Sequence, residues 1–582
     1  MEFSSDEKKI TQQLLPKSRQ KGGFITMPFI IANEAFEKVA SYGLLPNMIV
    51  YLMSDYNMSI TRGTNVLFIW SAATNFMPIL GAFLSDSYLG RFRMLGVASI
   101  ASLLGMIILW LTTMVPQAKP PPCNQSNHGC ISPTLPQLAF LFSSFSLMSI
   151  GAGGIRSCSL AFGADQLDKR DNPKNKRILE SFFSWYYTSA ALSVMIALTG
   201  IVYIQDHLGW KVGFGVPTFL MLFSAILFFL ASPLYVKLKA NKSLFTGFAQ
   251  VIVVTYKNRH FALPSHHTNG LYHHRKGSKL LVPTDKLRFL NKACIVRNPE
   301  QELTPDGSAS EPWSLCTVEQ VEELKALIKV IPLWSTGIMI SVSISQSSLP
   351  LLQAKTMDRH ITSDFQIPAG SFGMFSIIPF MIWIAVYDRI ILPLVEKFTG
   401  KPKRLGVKQR MGIGLLLSFI SMTVSATVES VRRRTAIEQG FLDDPHAVLE
   451  MSAMWLVPQN CLTGLAEAFN AVGQTEFYYS EFPKSMSSIA LALVALGAAV
   501  ANLLASLLLS TVDDVTKRGG KESWVSSNIN KGHFDYYYRV LAILSLINFV
   551  YFLVCSWAYG PCDDQGIRVR DEGEGMRVEE EL

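Results

Sequence analysis

Hydrophobic residues along the chain gather into runs of about 20, and shorter polar segments separate these runs. A run of that length crosses the apolar core of a bilayer when it forms a helix. The pattern therefore predicts an all-α membrane protein with twelve transmembrane helices. The first six predicted spans lie at 26–52, 66–85, 94–115, 137–157, 182–204 and 214–236, and the other six at 326–348, 370–394, 411–428, 452–478, 486–511 and 537–558.

A long polar stretch in the middle of the chain separates the first six spans from the last six. Thr317-Val-Glu-Gln320 at its end has the spacing of a capping box and predicts a helix that runs into the seventh span. We interpret the stretch as a hinge between two six-helix bundles. The predicted parts are a cytoplasmic N-terminal segment at 1–25, an N-terminal six-helix bundle at 26–236, a cytoplasmic central loop at 237–325, a C-terminal six-helix bundle at 326–558 and a cytoplasmic tail at 559–582.

Composition agrees with a lipid environment, since 49% of the 582 residues are hydrophobic and only 16% are charged. Most of the 52 Lys and Arg residues fall on the side of the membrane that holds both termini, and the positive-inside rule assigns that side to the cytoplasm. The three residues from Arg432 to Arg434 are an exception, because this map places them outside. The net charge of +8 follows from the basic flanks and requires no nucleic-acid partner.

Residues in the predicted loops suggest modification sites but no metal or cofactor. Cys123 and Cys130 lie in a predicted outer loop, where a disulfide can form, and Asn124 begins a glycosylation sequon between them. Four His residues of the central loop lack a Cys pair at ligand spacing, so no metal site is predicted. No catalytic motif is present either, and nothing in the sequence supports an enzyme.

Three ionisable residues interrupt the apolar first span, namely Glu34, Glu37 and Lys38. Spacings of three and four residues place them on one stripe of a helix, with Glu34 before Lys38 in the favourable order for an ion pair. Each charge costs about 2.5–3.5 kcal/mol at the centre of a membrane helix, so the stripe is not expected to face lipid. One interpretation is a self-neutralising pair near a helix end. The functional interpretation is a carboxylate that loads and releases a proton beside a cation.

Two further spans carry charged residues. The fourth contains Gly151-Ala-Gly-Gly154-Ile-Arg156, in which small residues permit close helix packing and Arg156 lies near the cytoplasmic end. Arg156 is either a positive-inside anchor or a functional cation. The tenth contains Glu467 well inside the span and Glu476 near its inner end, and Glu467 is the stronger functional candidate.

The first-span pattern Glu34-x-x-Glu37-Lys38, followed by Ser41-Tyr42-Gly43, resembles the ExxE[RK] signature of proton-coupled oligopeptide transporters of the major facilitator superfamily. The resemblance covers nearly the whole chain. Two longer stretches, Met27-Pro-Phe-Ile-Ile-Ala-Asn-Glu34 and Phe482-Pro-Lys-Ser-Met-Ser-Ser488, most resemble the first plant subfamily of nitrate/peptide transporters, which includes low-affinity nitrate transporters. Other matching segments are Phe83-Leu-Ser-Asp86-Ser-Tyr-Leu-Gly90-Arg91, Ala161-Phe-Gly-Ala-Asp165-Gln166, Phe182-Phe-Ser-Trp-Tyr186-Tyr187 and Gly473-Gln474-Thr-Glu476-Phe477-Tyr478.

The resemblance implies a major facilitator fold with a substrate cavity between the two bundles and no cofactor. It implies that Glu34, Glu37 and Lys38 couple protons, and that Arg156 and Glu467 form a pair that opens and closes a gate. Many relatives carry Lys at the position of Arg156. Because guanidinium does not deprotonate in proteins, titration must fall on the carboxylates of this chain.

Some nitrate-carrying relatives use a His of the seventh helix, which this chain lacks, since no predicted span contains His. Nitrate binding is therefore expected to rest on the cations Lys38 and Arg156 and on polar neighbours. The substrate and gating candidates beside these cations are Glu467, Tyr42, Tyr186, Tyr187, Gln346, Gln353 and Gln474.

The predicted function is low-affinity, proton-coupled import of nitrate across the plasma membrane, in long-distance redistribution from xylem to phloem. Small organic anions such as plant hormones are the main alternative substrates, followed by di- and tripeptides. A nutrient sensor that binds its ligand without significant flux is an alternative from another class. The predicted partners are a small anion, protons and the lipid bilayer, and the oligomeric state is left open.

Overall fold

The structure, a computed structural model, describes residues 22–122, 131–167, 175–238, 244–261, 272–274, 282–305, 307–391, 393–394, 397, 405–483 and 486–560. Cys123, Asn124 and Cys130 lie outside the described residues, as do most of the predicted N-terminal segment and nearly all of the predicted tail. The disulfide and the glycosylation site therefore stay predictions. The chain divides into two compact units.

The first unit comprises Met1–Asn241 together with Arg359–Met374. Its α-helices are α1 (Met27–Ser54), α2 (Ile60–Leu84), α3 (Arg91–Met114), α4 (Leu135–Leu167), α5 (Asn175–Ile196) and α6 (Val202–Leu230). Short π-helical segments, Ser85–Leu89 and Ala197–Ile201, follow α2 and α5. The long helical stretch that ends with α6 is broken at Gly209, whose φ of 76° is outside the helical region.

The second unit comprises Lys242–Asp358 and Phe375–Leu582. Its described α-helices are α7 (Leu244–Lys257), α8 (Pro299–Glu302), α9 (Val318–Ser345), α10 (Ser348–Lys355), α11 (Met374–Val386), α12 (Val407–Glu438), α13 (Val457–Glu481), α14 (Ser487–Thr516) and α15 (Phe534–Tyr559). Two short strands, β1 (Met357–Asp358) and β2 (Leu449–Ser452), pair in parallel between these helices.

The helices agree with the prediction of twelve spans. In the part of the chain that the structure describes, nine helical stretches are long and apolar enough to cross a membrane. One of them, Ser181–Leu230, has 50 residues and provides two crossings on either side of Gly209. The remaining two predicted spans are α1 and α13, which are long helices that carry the charged and polar candidate residues. The predicted all-α membrane fold is confirmed.

Thr317 caps the N-terminus of α9 as the sequence predicts. Its side chain accepts a hydrogen bond from the backbone N–H of Gln320, and the side chain of Gln320 accepts one from the N–H of Thr317. This reciprocal capping box satisfies two backbone donors that a helix start leaves free. The helix begins ahead of the predicted span at 326–348 and includes a charged turn of the central loop.

The described part of the central loop packs on the second unit. One face of α7 and two cysteines of the loop join a buried apolar cluster with the first turns of α9, because each element alone leaves apolar side chains exposed. The cluster includes Phe248, Val251 and Val254 of α7, Cys294 and Cys316 of the loop, and Val318 and Val321 of α9. The role of the loop as a hinge stays a prediction.

Cys294 and Cys316 are expected to resist alkylation in the folded protein. Burial raises the pKa of each thiol to about 12, so almost no reactive thiolate is present at neutral pH. Maleimide labelling followed by peptide mass spectrometry should modify neither thiol at neutral pH, and both after denaturation in SDS. The labelling rate should rise with pH, because the thiolate fraction grows as the pH approaches the raised pKa of about 12. Rapid labelling of either thiol in the folded chain at neutral pH would contradict this packing.

Small residues bring α4 close to α2 and α3, as predicted for the fourth span. Gly151, Gly153 and Gly154 lie where an added Cβ would overlap atoms of a neighbouring helix. The neighbours are Ser102 and Ala98 of α3 and Met77 of α2. Close packing of this kind is the usual role of small residues between membrane helices.

α12 is longer than the predicted span at 411–428 and contains a fully buried ion pair. Nε and Nη2 of Arg432 each donate to one carboxylate oxygen of Glu429 at 2.7 Å. Nη1 of Arg432 donates to Thr356 Oγ1 at 3.1 Å and to Asn530 Oδ1 at 2.7 Å. The positive-inside rule treats an Arg as a solvated charge. Arg432 departs from the rule because a buried carboxylate one turn away neutralises it.

Candidate functional site

The charged stripe of α1 is present in the structure. Glu34, Glu37 and Lys38 lie within an otherwise apolar helix, and both glutamates are buried. Nζ of Lys38 lies 3.2 Å from Oε1 of Glu34, the i,i+4 pair that the sequence predicts. Glu37 accepts a hydrogen bond of 2.5 Å from the hydroxyl of Ser41, one turn further on. The stripe therefore holds two carboxylates in different surroundings, one beside an ammonium and one beside a hydroxyl.

Arg156 of α4 pairs with the second of these carboxylates. Its Nη2 lies 3.4 Å from Oε1 of Glu37, so α1 and α4 meet through an ion pair inside the first unit. The ring of Tyr42 lies 5.8 Å from both Lys38 Nζ and Arg156 Cζ, where an aromatic face attracts cations. The predicted partnership of Arg156 with Glu467 of the second unit stays a prediction.

Several polar atoms of this cluster are buried and have spare hydrogen-bonding capacity. Among the described residues, Arg156 Nε, Glu34 Oε2 and Glu37 Oε2 have no hydrogen-bond partner. An unsatisfied buried polar atom is costly, and such atoms concentrate at sites that bind a ligand or a proton. The cluster can therefore take up a proton on a carboxylate oxygen and a hydrogen-bond acceptor at the guanidinium.

A cavity of about 130 Å³ lies beside Arg156 in the first unit. Its polar lining consists of Ser41, Tyr42, Ser71, Thr74, Asn75 and Arg156. The three α2 residues of this set, Ser71, Thr74 and Asn75, were not among the predicted site residues. The spacing of Ser71 and Asn75 places both on one face of α2, which is the signal that could have found them. A polar face on an apolar span is the pattern expected of a helix that borders a hydrated cavity.

The two predicted tyrosines of α5 have different surroundings. Tyr186 is buried near Glu34, while Tyr187 is exposed, and their rings meet edge to face at 5.8 Å. Tyr186 therefore belongs to the same buried cluster as the charged stripe of α1. The role of Tyr187 in substrate binding stays a prediction.

The candidates of the second unit are spread over its helices. Glu467 of α13 is half-buried, and within the described residues it forms no ion pair and no side-chain hydrogen bond. Gln474 of the same helix lies against Gly337 of α9, where an added Cβ would overlap the side-chain amide of Gln474. Glu476 pairs with Arg410 of α12, a contact that the sequence did not predict.

Gln346 and Gln353 are buried and are occupied by contacts inside the second unit. Gln346 accepts a hydrogen bond of 3.1 Å from the hydroxyl of Tyr537, and Gln353 donates one of 2.6 Å to Glu429. These contacts support structural roles. The predicted role of both glutamines in substrate binding stays a prediction that the contacts do not favour.

A second matching segment of the sequence also forms an ionic contact. Arg91, at the start of α3, donates to both carboxylate oxygens of Asp165 at 2.8 and 2.7 Å, and its Nε lies 3.7 Å from Asp86. Gly90 precedes it with φ of 76°, a left-handed conformation that turns the chain sharply between the two helices. Two segments that lie far apart in the sequence, 83–91 and 161–166, are therefore joined at one end of the first unit.

No group of three or more His, Cys, Asp or Glu side chains able to hold a metal ion occurs among the described residues. The cluster on α1 and α4 consists of a permanent cation, an ammonium and two carboxylates.

Comparison with known proteins places these features in a family. A family model described as the POT family matches residues 92–525, which is more than half of the chain. The chain is 62% identical over 570 residues to Protein NRT1/ PTR FAMILY 1.2 of Arabidopsis thaliana, covering 97% of this chain and 94% of that protein. It is 60% identical over 581 residues to Protein NRT1/ PTR FAMILY 1.1 of the same plant, covering 99% and 98%.

The fold is also shared with proteins of known structure. An auto-inhibited POT family peptide transporter superposes with a TM-score of 0.68 at 18% identity, covering 94% of this chain and 99% of that chain. The POT family transporter PepTSo superposes with a TM-score of 0.66 at 17% identity, covering 94% and 99%. At these identities the likeness concerns the fold.

Proposed function

Since the chain belongs to the POT family and is a transporter rather than an enzyme, we propose that it imports nitrate together with protons and with low affinity. The observation that carries this proposal is the position of Arg156. Its guanidinium is permanently charged, pairs with Glu37 and borders a cavity of about 130 Å³. A planar guanidinium presents parallel N–H donors to a planar oxyanion, and nitrate has that shape.

Proton and anion binding are coupled through the pair of Arg156 and Glu37. An anion at Arg156 competes with Glu37 for the guanidinium, and a carboxylate that loses its cation in a buried site is neutralised by taking up a proton. Binding of the anion therefore favours loading of the proton, and release of one favours release of the other. This reciprocity is what a symporter requires.

The size of the cavity favours a small ion over the larger alternative substrates. Pockets for drug-sized ligands are typically about 300–1,000 Å³, and the cavity beside Arg156 is well below that range. Nitrate fits more readily than a plant hormone or a tripeptide. Moving one anion into a cell with a negative interior costs about 2.3 kcal/mol per 100 mV of membrane potential. One accompanying proton cancels this electrical cost, and with two protons the membrane potential drives uptake.

We infer that the protein resides in the plasma membrane as a multi-pass protein with both termini in the cytoplasm. The distribution of Lys and Arg supports this orientation, because most of them fall on the predicted side of the membrane that holds both termini. An epitope at either terminus should be accessible to antibody only after the plasma membrane is permeabilised.

Substituting Glu37→Gln is expected to abolish nitrate accumulation driven by a pH gradient. Gln cannot carry a proton but keeps the size and polarity of the side chain, so exchange of internal for external nitrate should survive. Uptake of labelled nitrate into oocytes at acidic and neutral external pH measures the first effect, and counterflow in proteoliposomes measures the second. Glu438→Gln is a matched control, because Glu438 pairs with Arg434 on an exposed face of α12.

Two results would contradict the proposal. Unchanged pH-driven uptake by the Glu37→Gln variant would show that Glu37 is not required for proton coupling. Absence of nitrate uptake by the unsubstituted chain at any pH would remove nitrate as the substrate. Saturable nitrate binding without flux would instead identify a sensor, and preferential uptake of gibberellin, abscisate, jasmonate or a dipeptide in the same assay would identify one of the other substrate classes.

A further inference from the structure

α7 is apolar on two opposite faces, and the second unit covers only one of them. Phe248, Val251 and Val254 point into the buried cluster beside α9. On the other side Ile252, Val253 and Tyr256 are 56%, 37% and 66% exposed. A helix that is apolar all round needs an apolar environment on every side. The exposed side of α7 therefore needs a second apolar partner.

The length and the position of α7 place it at the surface of the membrane. Its 14 residues extend about 21 Å, which is too short to cross an apolar core of about 30 Å. Gln250 accepts a hydrogen bond from Gln320, and Gly247 lies beside the same side chain, in the first turn of α9. The predicted span within that helix starts at 326, about 9 Å further along its axis. α7 thus lies at the level of the lipid headgroups.

Basic residues surround the exposed side of α7 at its C-terminal end. Arg259 lies 4.4 Å from the ring centre of Tyr256, and Arg297 lies 3.9 Å from that of Phe261. Lys257 is exposed beside them and donates to the carbonyl oxygen of Trp313. Lys292 in turn donates to the carbonyl of Arg259 at 2.8 Å.

In the described part of the chain, the side chains of these four cations pair with no acidic residue. Within the described residues, no side chain of Lys257, Arg259, Lys292 or Arg297 forms an ion pair with a carboxylate, and their side-chain hydrogen bonds are to neutral oxygens. The carboxylate of Glu302 accepts a hydrogen bond from the backbone N–H of Arg297. Their positive charge is therefore available to a ligand. Exposed apolar and aromatic side chains next to uncompensated Lys and Arg are the features of a helix that lies on an anionic membrane surface.

We propose that α7 and the turn after it bind anionic phospholipids of the adjacent leaflet. The binding surface consists of Ile252, Val253, Tyr256, Lys257, Arg259 and Phe261. Ile252 and Val253 insert among the upper acyl chains, Tyr256 and Phe261 lie at the boundary, and Lys257 and Arg259 contact the phosphate and carboxylate groups of the lipid. The surface anchors the central loop to the membrane next to the start of α9, and it is independent of the transported substrate.

Native mass spectrometry of the full chain in detergent tests the charge contribution. Titration with phosphatidylserine should give adducts at lower lipid concentration than titration with phosphatidylcholine. A juxtamembrane basic residue contributes about fivefold to the affinity for an anionic surface, so the double variant Lys257→Glu with Arg259→Glu should lose phosphatidylserine binding by roughly 25-fold or more. The matched control is the double variant Arg518→Glu with Lys521→Glu. Both residues are exposed cations between α14 and α15, and five predicted membrane crossings lie between them and α7 along the chain.

Equal binding of the two lipids by the unsubstituted chain, or equal loss in the two double variants, would overturn the proposal. A second measurement leaves the charges unchanged. A photo-reactive benzoylphenylalanine at position Tyr256 should cross-link to phospholipid when the full chain is irradiated in its membrane. A cross-link to another protein would show that a protein partner covers this face, and the absence of any lipid adduct would exclude insertion into the membrane.

Discussion

The Arg432→Met variant should be less stable by about 3–5 kcal/mol in its free energy of unfolding, because the substitution leaves the carboxylate of Glu429 buried without a cation. Arg432 donates to both oxygens of Glu429 and also to Thr356 and Asn530, so one side chain joins α12 to the residue between α10 and β1 and to the loop before α15. The unfolding entropy is about 2.1 cal/mol/K per residue, so a loss of this size lowers the midpoint of thermal unfolding of a chain this long by about 2–4 °C. Thermal unfolding of the purified chain in detergent measures the shift.

Arg434→Met is the matched control, since Arg434 lies two residues further along the same helix and is 81% exposed. Its pair with Glu438 is a surface ion pair, which contributes at most about 1 kcal/mol. Adding Glu429→Gln to Arg432→Met should recover part of the lost stability, because it removes the uncompensated charge. Equal stability of the Arg432→Met and Arg434→Met variants would show that the buried pair does not hold this part of the second unit together.

The Arg156→Met variant should lose nitrate transport by about 30-fold or more. Removing one partner of a buried charge pair costs about 2–5 kcal/mol in binding, and 2 kcal/mol corresponds to about 30-fold. The substitution also removes the cation that borders the cavity. Arg156→Lys should retain part of the activity, because it keeps a charge but loses the planar fork that fits nitrate. Initial rates of labelled nitrate uptake, normalised to the amount of protein at the cell surface, measure both effects.

Arg62→Met is the control for charge alone, since Arg62 is an exposed residue in the first turn of α2. The double variant Glu37→Gln with Arg156→Met separates folding from transport. It should reach the surface at normal levels, because neither charge remains buried without its partner, and it should remain inactive. Nitrate transport by Arg156→Met at the level of the Arg62→Met variant would exclude Arg156 from the binding site.

Patterns of polarity predicted the helices and the charged residues within them. Runs of apolar residues identified the spans, and the spacing of Glu34 and Lys38 predicted their ion pair. The small residues around Gly153 predicted close packing of the fourth span. These features could be predicted because each depends on neighbours within one helix, where the periodicity of 3.6 residues fixes which side chains meet.

Contacts between distant helices were harder to predict. The pairing of Arg156 with Glu37 brings together residues on α1 and α4, and nothing in the local pattern specifies it. Ser71 and Asn75 are ordinary polar residues of an apolar span until the structure places them around the cavity. The positive-inside rule considers only the charge of Arg432 and ignores its neighbours. The partner of Arg432, Glu429, lies at i−3 on the same helix and can be found from the spacing.

The close packing of α4 against α2 and α3 has a mechanical consequence. Helices whose backbones meet without intervening side chains cannot slide past one another, because any shift drives a side chain into a neighbouring backbone. The three helices are therefore expected to move as one rigid body during transport. Bending within the first unit then falls on its irregular backbone, which consists of the π-helical turns Ser85–Leu89 and Ala197–Ile201 and the break at Gly209.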